Sequence, residues 1–207
     1  MNAYRTVYKV ACDEFTEKRS RFIGHIAPVT SEEAAAAFVA AKKKEYWDAR
    51  HNVWAYVLRG GVCRLSDDGE PGGTAGMPVL DVLQKEGLVD CCVVVTRYFG
   101  GILLGGGGLV RAYSHAARLA VDAAGRCEMK ACALLSLTCS YAQYGWAAPM
   151  VAAAGGTVTD TEFAQEVTLH FRLPLEERGA LQAQLTEQSA GTLTVEEEGT
   201  AFFPFLL

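Results

Sequence analysis

Two short stretches hold most of the residues whose types and spacing could do chemistry: RYFGGILLGGGGLVRAY at residues 97–113 and SDDGEPGGTAGMP at residues 66–78. The first sets six glycines between Arg97 and Arg111. Glycine reaches positive φ and lets an anion or a second backbone come close. The stretch therefore reads as a strand end, a turn and the start of a helix. There the orphan N–H groups of Gly106, Gly107 and Gly108, with Arg97 and Arg111 alongside, would suit a phosphate. Two familiar nucleotide patterns fail. Arg111 stands where GxGxxG needs its third glycine, and no lysine completes a GxxxxGK[ST] loop. The competing reading is a packing clamp, in which Arg97 or Arg111 pairs with Asp67, Asp68 or Glu70. Sequence alone weighs the two equally.

The acidic stretch is as ambiguous. Ser66, Asp67, Asp68 and Glu70 among glycines could hold a divalent cation or move a proton, but the spacing lacks the further ligands of an EF-hand loop. A turn closed by local Asx hydrogen bonds is the simpler reading. Tyr98, Phe99 and Tyr113 could stack bases beside the arginines, or anchor the turn in the core. From Gly108 the pattern is helical: Leu109, Ala112, Tyr113, Ala116, Ala120 and Val121 form an apolar stripe. Arg111, His115, Arg118 and Asp122 share the other face. Ser114 and His115 are adjacent on this helix and point apart, and Cys63 has no evident base, so no nucleophilic triad is found. Catalytic residues stay unassigned. No cofactor is expected, and the four scattered histidines and seven cysteines carry no metal or disulfide spacing.

The elements that must position these residues are legible in outline. YRTVYKV and SRFIGHIAPV read as strands joined in a hairpin through the charged turn DEFTEKR. SEEAAAAFVAAKKKEYWDA reads as a helix with acids at its start and bases near its end. HNVWAYVLR is a third strand, MPVLDVLQKEG a helix, and LVDCCVVVTRYF a strand buried on both faces. Gly125 fits a helix C-cap. After residue 134 the order is βαββαβ, the split-βαβ ferredoxin-like arrangement. Length 207 and half apolar composition suit two domains, placed at 1–134 and 135–207. Charge divides the same way: 17 Lys+Arg against 15 Asp+Glu in the first part, and 2 against 9 in the second. Any phosphate-bearing partner is expected on the first part. No signal peptide or membrane span is read, so the expected location is cytoplasmic.

The strings EKRSRFIGHIAPV, HNVWAYVL, SDDGEPGGTAGMP and VVVTRYFGGILLGGGGLVRAY resemble the YigZ/IMPACT family, the last two as long, distinctive signatures. The resemblance runs from about residue 4 to 126, and the βαββαβ tail is similar to the smaller C-terminal domain of bacterial members. It implies an α+β fold of two domains. The first would be an α/β sandwich similar to the second domain of ribosomal protein S-five. The second would be ferredoxin-like, similar to the last domain of elongation factor G. Eukaryotic members are translation regulators, which implies a binding protein rather than an enzyme, with RNA or a ribosome-associated protein as partner. The expected contact face is Arg97, Tyr98, Arg111, His115 and Arg118. The alternative is a phosphate-handling enzyme or small-molecule receptor, with the two glycine loops as its pocket.

Overall fold

The apolar run at 91–98 forms the middle strand of a sheet covered on both faces. The computed structural model describes residues 2–207. Its chain divides into two compact units, one of Tyr4–Glu128 with Pro204–Leu207, the other mainly of Met129–Phe203. The first unit contains β1 (Tyr4–Val7), β2 (Ala11–Glu17), β3 (Ser20–Pro28), α1 (Glu32–Glu45) and β4 (His51–Val57). It continues with β5 (Cys63–Ser66), α2 (Gly76–Lys85), β6 (Cys91–Tyr98) and α3 (Gly106–Ala124). The sheet order is β2-β3-β6-β4-β5, and its neighbours run antiparallel.

Strand alternation sorts β6 between two cores. Cys91, Val93 and Val95 pack in the cluster with α2 and α3, whereas Cys92 and Val94 pack in the cluster with Ala35 and Val39 of α1. A helix on each face explains why the run is continuously apolar although every pairing is antiparallel. Ser31 caps α1 by accepting the Ala34 N–H, with Glu32 and Glu33 in the first turn and Lys42, Lys43 and Lys44 in the last. Helix α3 is seated by one glycine: a Cβ at Gly24 of β3 would stand 2.3 Å from the Ala116 carbonyl oxygen, so only glycine permits this approach.

The N-terminal hairpin differs from the sequence expectation. Most of DEFTEKR is strand, since β2 pairs with β3 from Ala11↔Ile26 to Glu17↔Ser20. The turn is only Lys18-Arg19, both at positive φ (46° and 66°), the twist that two-residue hairpins favour. The charges that suggested a turn belong to an exposed edge strand, where charge is tolerated and discourages further pairing. Tyr4–Val7 is a separate strand, β1, and takes no part in this hairpin. The four-residue β5 was not anticipated, being too short to show a period.

The second sheet is built on β7 (Arg126–Cys139), β8 (Thr157–Phe163), β9 (Val167–Pro174) and β10 (Glu196–Leu206), with α4 (Tyr141–Ala153) and α5 (Arg178–Gln188). The chain order is βαββαβ and the spatial order is β10-β7-β9-β8, the ferredoxin-like arrangement. Leu135 and Leu137 of β7 and Leu169, Phe171 and Leu173 of β9 meet Ala147 and Val151 of α4 and Leu181 and Leu185 of α5. A capping box at Ser140 and Gln143 starts α4.

His25 on the α1 face of β3 is a buried group with a measurable consequence. It is 1% exposed, its Nε2 lacks a hydrogen-bond partner, and its ring lies 4.8 Å from that of Tyr46. Burial, and then the nearby Lys42, lower its pKa from 6.5 to about 4, against the smaller opposing effects of Glu45 and Glu14. The folded protein keeps the imidazole neutral while the unfolded chain takes up a proton below about pH 6.5. This contribution is therefore full above that pH and declines as pH falls towards 4, by about 3 kcal/mol in all. Urea unfolding at several pH values should show a shallower acid loss for His25→Leu than for the native chain. Equal losses in the two proteins would assign the acid sensitivity elsewhere.

Candidate functional site

The acidic loop is first of all a structural device. Asp67 Oδ1 accepts the N–H groups of Ala75 (3.1 Å) and Gly76 (2.8 Å), and its Oδ2 accepts that of Gly73 (2.9 Å). The N-cap position of α2 is Ala75, which has no capping side chain. Asp67 supplies the cap from outside the helix. Burial alone would raise the Asp67 pKa, but these three donors hold it below the usual carboxylate range. Asp68, at φ 45°, accepts from Lys43 Nζ (2.6 Å) and from the Asn52 N–H (2.7 Å), and its own N–H donates to Ser66 Oγ (3.1 Å). Its carbonyl accepts Nδ1–H of His51 (2.8 Å), which leaves the His51 Nε2 facing Glu70 Oε1 at 3.9 Å. Among the described residues no group of three His, Cys, Asp or Glu side chains could hold a metal ion.

Glu70 turns inward. Its Oε1 accepts Arg97 Nη1 and the Tyr113 hydroxyl, each at 2.6 Å. Arg97 is 5% exposed and Glu70 9%, while Tyr113 has no exposed surface. Burial and then the Glu70 hydrogen bond push the Tyr113 hydroxyl well above the usual phenol range, so it remains a donor. The Arg97 guanidinium lies 5.4 Å from the Phe22 ring centre and 5.5 Å from that of Phe99, and its Nε has no partner. The expected face of Arg97, Tyr98, Arg111, His115 and Arg118 is thus not one face. Arg97 and Tyr98 are consecutive strand residues and point to opposite sides of the sheet. Tyr98 donates to Asp48 (2.9 Å), away from Glu70. Tyr113 is core and cannot stack a base. Arg111, His115 and Arg118 are exposed on α3, and Arg111 and Arg118 have no hydrogen-bond or ion-pair partner among the described residues.

The glycine turn resolves by position. A Cβ at Gly100 would collide with the backbone of Arg19 at 2.1 Å, Gly101 and Gly105 have φ of 84° and 74°, and a Cβ at Gly108 would meet Leu104 Cβ at 2.9 Å. These four are required by the chain itself. Gly106 and Gly107 are not, for added Cβ atoms would meet only Thr74 Cγ2 at 3.9 Å and Arg111 Nη1 at 4.0 Å respectively. The turn and the Glu70-Pro71 segment face each other across a cleft of about 360 Å³, also lined by Arg50, His51, Arg97, Phe99, Leu103, Leu104 and Leu109. A second depression of about 290 Å³ lies between Phe15, Glu17 and Lys18 of the β2–β3 hairpin and Gly108, Arg111 and His115 of α3. The His115 and Phe15 ring centres there are 4.6 Å apart. The sequence reading missed Lys18, Arg50 and His51. His51 was accessible only through register, since β4 pairs it directly with Arg97.

The buried pair gives a sharp stability expectation. Glu70→Gln or Arg97→Met, each leaving one charge behind, should destabilise the protein by about 3–5 kcal/mol. Tyr113→Phe, which removes one hydroxyl, should cost about 1–2 kcal/mol. Denaturant unfolding of the three variants checks the order, and a negligible effect of Arg97→Met would show that the pair is not held in solution.

Residues 18–121 match the model of the Impact N-terminal domain, and residues 137–192 match a domain of unknown function, DUF1949. The chain is 34% identical over 199 residues to the IMPACT family member YvyE of Bacillus subtilis, covering 95% of this chain and 92% of that one. It is 36% identical over 180 residues to the IMPACT family member YigZ of Escherichia coli, covering 85% and 88%. A solved structure titled as that of a hypothetical protein aligns with a TM-score of 0.61 at 33% identity, over 94% of this chain and 97% of that one. The mouse Protein IMPACT is 34% identical over 100 residues, 30% of its own length. The two signature loops that form the cleft, the matched domains and the full-length relatives agree: this chain belongs to the IMPACT family.

Proposed function

We propose that this protein is a cytoplasmic translation regulator that acts by binding, and that its α3 face meets RNA phosphates. One observation carries the reading. The structure consumes Arg97 inside the protein but leaves Arg111 and Arg118 on the exposed side of α3, with Lys18 and His115 lining the depression beside Arg111. The N–H groups of the first helical turn, from Gly106 onward, lie near Arg111, with no capping side chain at Gly105. Cations without partners beside a helix N-terminus favour phosphate over neutral ligands. Two further points support it. The positive charge is concentrated in the first 134 residues, and the family resemblance implies translation control for the eukaryotic members, which share the Impact N-terminal domain.

Such binding is mainly electrostatic and should follow the salt law of phosphate contacts. Fluorescence anisotropy with a labelled single-stranded RNA should show affinity falling steeply between about 50 and 200 mM salt. Arg111→Ala should weaken binding across unrelated sequences and reduce the salt slope by about one. Absence of binding at low salt, or a slope near zero, would instead favour a protein partner at the ribosome.

A further inference from the structure

The cleft beside the glycine turn has a different chemistry from the α3 face. Its polar floor is the Arg97–Glu70 pair with His51, and Arg50 stands exposed at its edge, its side chain without a hydrogen-bond or ion-pair partner among the described residues. Its walls are Phe99, Leu103, Leu104 and Leu109. Leu103 is 81% exposed and Phe99 42%, an apolar lip whose burial by a ligand would be favourable. A concave, mostly apolar site with a few converging polar groups is the form that small-molecule sites take.

Three observations define the occupant. Arg97 lines the cleft although the residue is only 5% exposed, and Glu70 engages only its Nη1, so the donors of the guanidinium are not exhausted. With Arg50 and the uncapped start of α3, the site carries an excess of positive charge. The Glu70 carboxylate on the floor opposes a second negative charge, which argues for a monoanion over a phosphate dianion. Gly106, which lines the cleft, meets no crowding that demands glycine and has an ordinary negative φ, although alanine would be the better helix former. A side chain there would stand in the mouth of the cleft.

We propose that this cleft binds a small organic monoanion, a carboxylate carrying a branched or aromatic arm. The carboxylate would meet Arg50, the Arg97 guanidinium and the N–H groups at Gly106, and the arm would lie against Phe99, Leu103 and Leu109. The site borders the RNA-binding face and shares the first N–H groups of α3 with it, but its argument rests on the cleft and does not depend on that reading.

The test uses the full chain with 3-phenylpropanoate, 4-methylpentanoate, the neutral 3-phenylpropanamide and inorganic phosphate, followed by calorimetry and by amide chemical shifts. At least one carboxylate should bind saturably, at least fivefold more tightly than the amide, and shift the amides of Gly105–Leu109 and Phe99. Arg50→Gln and Gly106→Ala should each weaken it at least fivefold, the latter without loss of thermal stability. Arg50→Lys should retain more binding than Arg50→Gln. Several outcomes would overturn the proposal: no saturable binding of either carboxylate, equal binding of acid and amide, tighter binding of phosphate, or full affinity in both Arg50→Gln and Gly106→Ala.

Discussion

A single carboxylate oxygen, Oε1 of Glu70, organises one end of the first unit. It accepts from Arg97 on the central strand and from Tyr113 on α3, and it lies within 4 Å of His51 on β4. Burying an ionised pair is costly, and the cost is offset only where geometry and additional hydrogen bonds are good. Here both hydrogen bonds are short and two aromatic rings flank the guanidinium. The acidic loop, the sheet and the helix must therefore hold one relative position, and the cleft between the glycine turn and Pro71 is a consequence of that position.

The same pair divides the charges of the unit into two classes. Asp67 caps α2, Asp68 ties Lys43 and the β4 backbone, and Glu70 holds Arg97, so the acidic loop has few unspent acceptors. Arg111 and Arg118 have no partner among the described residues. A charged side chain answered inside the protein adds specificity of structure, whereas one left in water on a rigid helix can contribute to long-range attraction of an oppositely charged partner. The α3 face and the cleft thus offer different ligands different things: exposed cations on one, apolar walls around a partly answered guanidinium in the other.

Much of the fold was legible because local rules suffice for it. The alanine-rich helix with its serine cap, the doubly buried strand at 91–98, the C-cap at Gly125 and the βαββαβ order each rest on periodicity or on one residue's backbone preference. The N-terminal hairpin was misread for a physical reason. On an exposed edge strand, side-chain polarity no longer distinguishes strand from turn, and the Lys18-Arg19 turn carries no glycine to mark it. At the site, the sequence named Glu70, Arg97 and Arg111, but it grouped Arg97 with Tyr98 against the period-two alternation that separates them.

The sequence by itself determined the class of fold, the uneven distribution of charge and the two loops where the site would form, because all of these depend on composition and near neighbours. Only the tertiary structure decided that Arg97 is paired and Arg111 is not. It also decided that Asp67 and Asp68 are structural, and that of six glycines only Gly106 and Gly107 are unexplained by the chain's own packing. The fate of Arg97 depends on partners 27 and 46 positions away in the chain, Glu70 and His51, and that of Asp68 on Asn52 and Lys43, 16 and 25 positions away. Pairings at that separation are set by strand register and helix placement, which no local pattern encodes.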